Sequence, residues 1–219
     1  KVVEDEAGDR QVDMLMQSVP NFERIGDYAT NFVEMAQKLK DAGVEFVFIR
    51  VGSQRGVDGE YYIDAIDDRG VKVGSKECEE GKMFLIPQIW SVFSGVSRSG
   101  REVIAMDSVE KYLSDPLGTV ICYPPYTKYD RKVGRLTGFV PGIWENGTTY
   151  CHGAAFKVVS DFIQGRGDAG YETLLKIMPD SKWNPSEHSG CEPYAFTNMY
   201  LGPQNPRKGE TSFAWITGT

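Results

Sequence analysis

Two histidines, His152 and His188, and four cysteines, at positions 78, 122, 151 and 191, are the side chains best suited to hold a soft or borderline metal. The cysteines show no Cys-x-x-Cys spacing and two histidines are too few to help them, so no zinc site is expected. His152 opens a predicted helix, where free backbone N–H groups and the helix dipole favour an anion. The alternative for His152 is a core histidine bonded to its neighbours. Before it lie Trp144-Glu145-Asn146-Gly147 and a basic, aromatic loop of Tyr126, Lys128, Arg131 and Lys132. That loop is either solvated surface or a place where a cation pairs with a ligand carboxylate. Glu187, His188, Cys191 and Glu192 form another polar loop without zinc-like spacing, read as loop structure. Glu23 and Asp27, four residues apart, put two carboxylates on one helix face.

These groups need a folded scaffold, and the composition supplies one. Of 219 residues, 41% are hydrophobic and 25% charged, which excludes disordered and collagen-like chains. The formal charge is −7, from 31 acidic against 24 basic side chains, so no global field attracts nucleic acid or anionic lipid. Hydrophobic stretches are too short to span a bilayer and nothing resembles a signal peptide. The expected location is cytoplasmic, with reduced thiols and no meaning for the Asn146-Gly147-Thr148 sequon. No nucleic acid or membrane partner and no cofactor is expected. The chain begins at Lys1 and ends just after Trp215-Ile216-Thr217, and both ends read as cuts.

Two parts differ in character. From Asp9 to Asp41, apolar residues recur every three or four positions, from Val12 through Leu15, Val19, Phe22, Ile25 and Phe32 to Leu39, the stripe of a helix packing on helices. Pro20 predicts a kink or break and Gly43 an end. Val44 to Val51 reads as extended, followed by a glycine-containing loop to Asp58. Beyond it, Tyr61 to Ile66 alternates and Asp67 to Gly70 reads as a turn. Helices are predicted at Pro87 to Gly95, Arg101 to Leu113, His152 to Gln164 and Ala169 to Met178, each ended by Gly or Pro. The irregular stretches 115–150 and 179–213 hold most prolines and many aromatics, and loops of that length usually carry function.

The second part carries a resemblance. Asp58-Gly59-Glu60, Pro87-Gln88-Ile89-Trp90, Tyr123-Pro124-Pro125-Tyr126, Pro141-Gly142-Ile143-Trp144-Glu145-Asn146-Gly147, His152, Gly165-Arg166-Gly167-Asp168, Glu192-Pro193-Tyr194 and Trp215-Ile216-Thr217-Gly218-Thr219 follow one another as in the catalytic domain of glycoside hydrolase family 94. The resemblance implies the latter part of an (α/α)6 helical barrel. It also implies inverting phosphorolysis: inorganic phosphate attacks the anomeric carbon of a β-linked disaccharide, such as cellobiose or cellobionic acid, and α-sugar-1-phosphate is released. Phosphate is already an anionic nucleophile, so this reaction needs positioning and one acid, without the base that hydrolysis requires.

By the same resemblance, phosphate is held by His152, Thr217 and Gly218. A histidine, a hydroxyl and a glycine N–H are all donors to its oxygens. Glu145 is the glutamate that bonds the leaving sugar, and a carboxylate accepts two sugar hydroxyls at once. Tyr126, Lys128 and Arg131 would then line a sugar site, the cations suiting an acidic sugar. The family's general acid, in a Trp-Asn-Asp type motif upstream of Asp-Gly-Glu, has no counterpart here, and nothing singles out Asp64, Asp67 or Asp68 as its substitute. The chain alone is therefore expected to be inactive. Family members are often dimers, which makes a homodimer the implied assembly.

Residues 9–46, with Pro20-Asn21-Phe22-Glu23-Arg24-Ile25-Gly26-Asp27, resemble a stretch of the PhoU family of phosphate-uptake regulators, whose Glu-x-x-x-Asp motifs bind metal clusters; Glu23 and Asp27 match one such motif. The expectation from sequence is a mainly α chain with short β pieces: a PhoU-like helical segment at 1–46, a junction at 47–57 and a partial (α/α)6 phosphorylase domain at 58–219. The rival reading is a phosphate-linked regulatory or metal-binding interaction protein.

Overall fold

A computed structural model describes residues 57–66, 69–95, 97, 100–212 and 219. The chain divides into two compact units, 1–46 and 47–219, and every described residue lies in the second. The expectations for Glu23, Asp27, the 9–46 helix, Thr217 and Gly218 fall outside the described residues, as does most of the junction.

Four helices of nine to thirteen residues dominate. The first, α1 (Leu85–Phe93), follows the short strands β1 (Ala65–Ile66), β2 (Lys72–Val73) and β3 (Met83–Phe84). It buries Leu85, Ile89 and Val92 at helical spacing, and Pro87 sits in its first turn, where a missing N–H loses nothing. Helix α2 (Arg101–Tyr112) has Glu102 in its first turn and Lys111 in its last, both favourable to the dipole, and turns Ala105, Met106 and Val109 inward. Helices α3 (Cys151–Ile163) and α4 (Gly167–Ile177) form a closely packed pair. A Cβ on Gly170 would stand 3.2 Å from the Val158 carbonyl oxygen, so the glycine permits that approach. Leu85, Ile89, Met106, Val109 and Leu113 are the centre of one core, with Tyr61, Met83 and Val120 at its edge. Each large apolar side chain buried there contributes about 1.5 to 3 kcal/mol.

Charge is buried as well. Lys157 of α3 is fully enclosed, its ammonium 2.5 Å from Glu110 of α2, 2.7 Å from Asp161 and 2.8 Å from the Thr173 hydroxyl of α4. Arg166, ahead of α4, continues the network to Asp161 at 3.2 Å and to Asp107. Burial works to raise the Glu110 carboxyl, but Lys157 and a bond from Ser114 outweigh it and hold it below its ordinary value. For Asp161 burial wins and the carboxyl is raised.

The loop regions hold paired two-residue strands. β4 (Ser114–Asp115) pairs with β5 (Gly118–Thr119), and β6 (Cys122–Tyr123) with β3. A three-stranded antiparallel sheet of β7 (Thr149–Tyr150), β8 (Met199–Tyr200) and β9 (Thr211–Ser212) joins the two irregular stretches. A short helix, α5 (Ser186–Ser189), and a 3-10 turn at Arg135–Gly138 complete the described elements. The chain is thus helix-rich with short β pieces, and the described residues form no closed barrel. The four cysteines are free thiols. Among the described residues, no helix is long and apolar enough to cross a membrane.

Asn146 fixes the stretch 122–147. Fully buried, its carboxamide oxygen accepts from the Tyr126 N–H at 2.7 Å, and its amide nitrogen donates to the Tyr126 carbonyl at 2.8 Å and the Phe139 carbonyl at 2.7 Å. Gly142 and Gly202 let two loops meet backbone to backbone, Gly202 N–H donating to the Gly142 carbonyl at 2.9 Å. A Cβ on Gly202 would fall 1.9 Å from the Gly147 carbonyl oxygen.

Lys157→Met is expected to lower unfolding free energy by about 3 kcal/mol, because the half-buried Glu110 carboxylate loses its cation and the buried Asp161 carboxylate keeps only Arg166. An unchanged urea midpoint would contradict this. Asn146→Ala should cost about 3 kcal/mol through unsatisfied buried backbone groups, and Asn146→Asp should not rescue it, since a carboxylate cannot donate to the two carbonyls. Equilibrium denaturation of the two variants decides the point.

Candidate functional site

Glu145 stands on the rim of a cavity of about 340 Å³ lined by Ile121, Arg135, Trp144, Glu145, Thr148, Tyr150, Asn198 and Met199. Both irregular stretches contribute to it, brought together by the β7–β8 pairing, by the Thr148 hydroxyl donating to the Tyr200 carbonyl at 2.6 Å, and by the Cys151 N–H donating to the Asn198 carbonyl at 3.1 Å. A tight turn presents Glu145: Gly142 N–H donates to the Asn146 carbonyl at 2.7 Å and Asn146 N–H to the Ile143 carbonyl at 3.0 Å. In that turn Trp144 has φ +52°, a left-handed conformation that costs a residue with a Cβ of order 1 to 3 kcal/mol and that tends to persist where side-chain placement matters. Its ring meets Phe139 edge to face, 4.5 Å between centroids.

Tyr150 lines the cavity and precedes α3; His152 lies in the first turn of that helix. The half-buried imidazole stacks at 4.7 Å on Phe156 and stands 5.9 Å from the Tyr150 ring, outside the cavity's own lining. No side chain caps this helix and no acidic residue sits in its first turn.

The basic loop lies elsewhere. Tyr126, Lys128 and Arg131 line a separate cavity of about 590 Å³ with Lys72, Glu77 and Glu80. Glu80 accepts the Thr127 N–H at 2.9 Å and the Thr127 hydroxyl at 2.5 Å; burial works to raise its carboxyl, but these bonds and Lys128 bring it below the ordinary value. The basic loop is therefore answered by an acidic one. Tyr126 is itself buried with Phe84 and Cys122, and burial raises its hydroxyl. The structure brings Glu145 near the start of the His152 helix and does not bring Tyr126, Lys128 or Arg131 into the lining of the same cavity.

Asn198 and Arg135 are among the lining residues not singled out from sequence. Asn198 is half-buried, and its carboxamide oxygen is buried with no hydrogen-bond partner among the described residues. Nothing in its sequence neighbourhood signals this. Arg135 opens the 3-10 turn, four residues past Arg131; its place in a run of basic residues was the available signal. No group of three or more His, Cys, Asp or Glu that could hold a metal occurs among the described residues.

Residues 14–219 match the family model described as the glycosyl hydrolase 94 superfamily, catalytic domain. The chain is 50% identical over 191 residues to the solabiose phosphorylase of Paenibacillus borealis, covering 87% of this chain and 24% of that relative. It is 31% identical over 204 residues to the 3-O-beta-D-glucopyranosyl-beta-D-glucuronide phosphorylase of the same organism, covering 92% and 25%. It is 32% identical over 197 residues to the cellobionic acid phosphorylase of Neurospora crassa, covering 88% and 24%. The chain spans about a quarter of the length of these curated relatives. The family match extends through residues 14–57, the range read from sequence as PhoU-like helix and junction. With nearly its whole length matched, this chain belongs to the glycosyl hydrolase 94 superfamily and is part of its catalytic domain.

Proposed function

We propose that this chain is part of an inverting disaccharide phosphorolysis site acting on a β-linked disaccharide. Inorganic phosphate attacks the anomeric carbon, the glycosidic carbon–oxygen bond breaks, and the leaving oxygen takes a proton from a general acid that none of the residues named here supplies. α-Sugar-1-phosphate and a free sugar result. The observation that carries this reading is the cavity in which Glu145, Trp144 and Asn198 meet beside the start of α3. Glu145 accepts sugar hydroxyls, Asn198 brings a carboxamide whose buried oxygen lacks a partner among the described residues, and Trp144 supplies an aromatic surface. His152, at the uncapped helix start, with Thr217 and Gly218, holds phosphate.

Phosphorylase relatives that match along most of this chain favour this reading. The match beginning at residue 14 favours taking 14–57 as part of the same helical catalytic domain, a portion of an (α/α)6 barrel, over a separate PhoU-like regulator. Lys128 and Arg131, facing Glu77 and Glu80, fit a charged surface better than a subsite of the cavity beside Glu145.

Titration calorimetry of the chain with inorganic phosphate and with cellobiose tests the assignment. His152→Ala should weaken phosphate by about tenfold, the worth of a hydrogen bond to a charged group, and leave the sugar unaffected. Glu145→Gln should do the reverse. Equal phosphate affinity in wild type and His152→Ala removes His152 from the site.

A further inference from the structure

Asn146 is the one asparagine in the chain that is followed by glycine. An Asn-Gly step is open to chemistry on itself, because a residue without a Cβ lets its nitrogen approach the preceding carboxamide. The Gly147 nitrogen attacks Asn146 Cγ, the new C–N bond closes a five-membered succinimide, and the carboxamide nitrogen leaves as ammonia with the Gly147 proton. Water then opens the ring at either carbonyl, so that an amide and a water become ammonia and an aspartate or isoaspartate. The fold opposes each part of this reaction. The Asn146 carboxamide is fully buried, and its oxygen and both N–H groups are bonded to Tyr126 and Phe139, so turning towards Gly147 gives up three hydrogen bonds. The attacking nitrogen is engaged as well: burial raises the Cys122 thiol to about 12, and a bond from the Gly147 N–H works against that rise. The main chain between them is pinned. Gly147 has φ +87°, a Cβ on it would stand 3.0 Å from Pro125, and its carbonyl oxygen lies 1.9 Å from the place of a Cβ on Gly202.

We infer that Asn146-Gly147 is a deamidation site which the folded turn keeps closed, and that conversion of Asn146 to aspartate or isoaspartate disables the turn that carries Glu145. An aspartate at this position offers no donor to the Tyr126 and Phe139 carbonyls and sets an anion against two carbonyl oxygens away from water. Isoaspartate also adds a methylene to the main chain, where the meeting of Gly142, Gly147 and Gly202 leaves no slack. Conversion needs the turn to open, so its rate follows the population of the open form. Each opening exposes the chain to a change after which the turn no longer closes. The inference stands apart from the phosphorolysis reading, since it concerns how long the turn survives and not what it binds.

The wild-type chain is held at mildly alkaline pH in buffer and in denaturing urea, and peptide mapping by mass spectrometry follows the exchange of amide for acid at Asn146. In urea this peptide should convert faster than those of Asn184 and Asn205, which precede proline, a residue with no N–H to attack with. In buffer the conversion should be slower by about tenfold or more. Deamidated chain, separated by ion exchange and returned from urea, should unfold at a lower urea midpoint than untreated chain carried through the same steps. Gly147→Ala, compared in urea where folding plays no part, should convert several-fold more slowly because its Cβ hinders ring closure. Equal wild-type rates in buffer and in urea overturn the protection by the turn. A deamidated chain with an unchanged midpoint overturns the loss of the turn, and an unchanged rate in Gly147→Ala overturns the route through the Gly147 nitrogen.

Discussion

The carboxamide of Asn146 is the constraint on which the described site depends. A loop region that crosses a protein interior must find partners for its backbone N–H and carbonyl groups, and two-residue strands satisfy few of them. Asn146 has one acceptor and two donors and spends all of them on the backbone, pairing with both polar groups of Tyr126 and with the Phe139 carbonyl. It is thus a short piece of β-ladder made by a side chain. Because Glu145 precedes it and Gly147 follows, the residue that ties the loop is covalently next to the one that faces the cavity. Thr148 extends the tie to β8 through Tyr200, so the cavity walls share one connected set of hydrogen bonds.

The electrostatics separate two kinds of charge. Lys157, Glu110, Asp161 and Arg166 neutralise one another between α2, α3 and α4, and the basic loop at 128–132 faces acidic residues around 77–80. Such charges hold structure. Arg135 is held over the Phe139 and Trp144 rings, and the start of α3 has neither a side-chain cap nor an acidic residue in its first turn. With a net charge of −7 the chain repels anions at long range, so any anion it holds must be met by local geometry.

Much of the scaffold was legible in the sequence. The four long helices lie within two residues of their expected bounds, because each combines apolar residues at helical spacing with a glycine or proline stop. The start of α1 came earlier than expected, since Pro87 is tolerated inside the first turn as well as at its edge. The nine strands among the described residues were mostly unreadable, because two residues leave no alternation to detect. Glu145 and His152 stand out in the sequence through the order of motifs, while the place of Asn198 and Arg135 in the cavity lining depends on three-dimensional closure: one lies more than fifty residues from Glu145 in the chain, the other amid basic residues of similar appearance. Tyr126, next to the basic loop in sequence, packs with Phe84 and Cys122 and also lines the cavity of that loop.

The meeting of Gly142, Gly147 and Gly202 bears on how this catalytic domain can diversify. Where two loops touch through main chain alone, no rotamer change or modest side-chain swap can alter their separation, and any residue larger than glycine at 202 must push the loops apart. The frame behind the turn that carries Glu145 is thereby fixed. The 3-10 turn bearing Arg135 meets Phe139 and Trp144 through side chains, so its contacts can be exchanged residue by residue without reopening the frame. Substitution along that edge can therefore change the chemistry it presents while the glycine frame stays as it is.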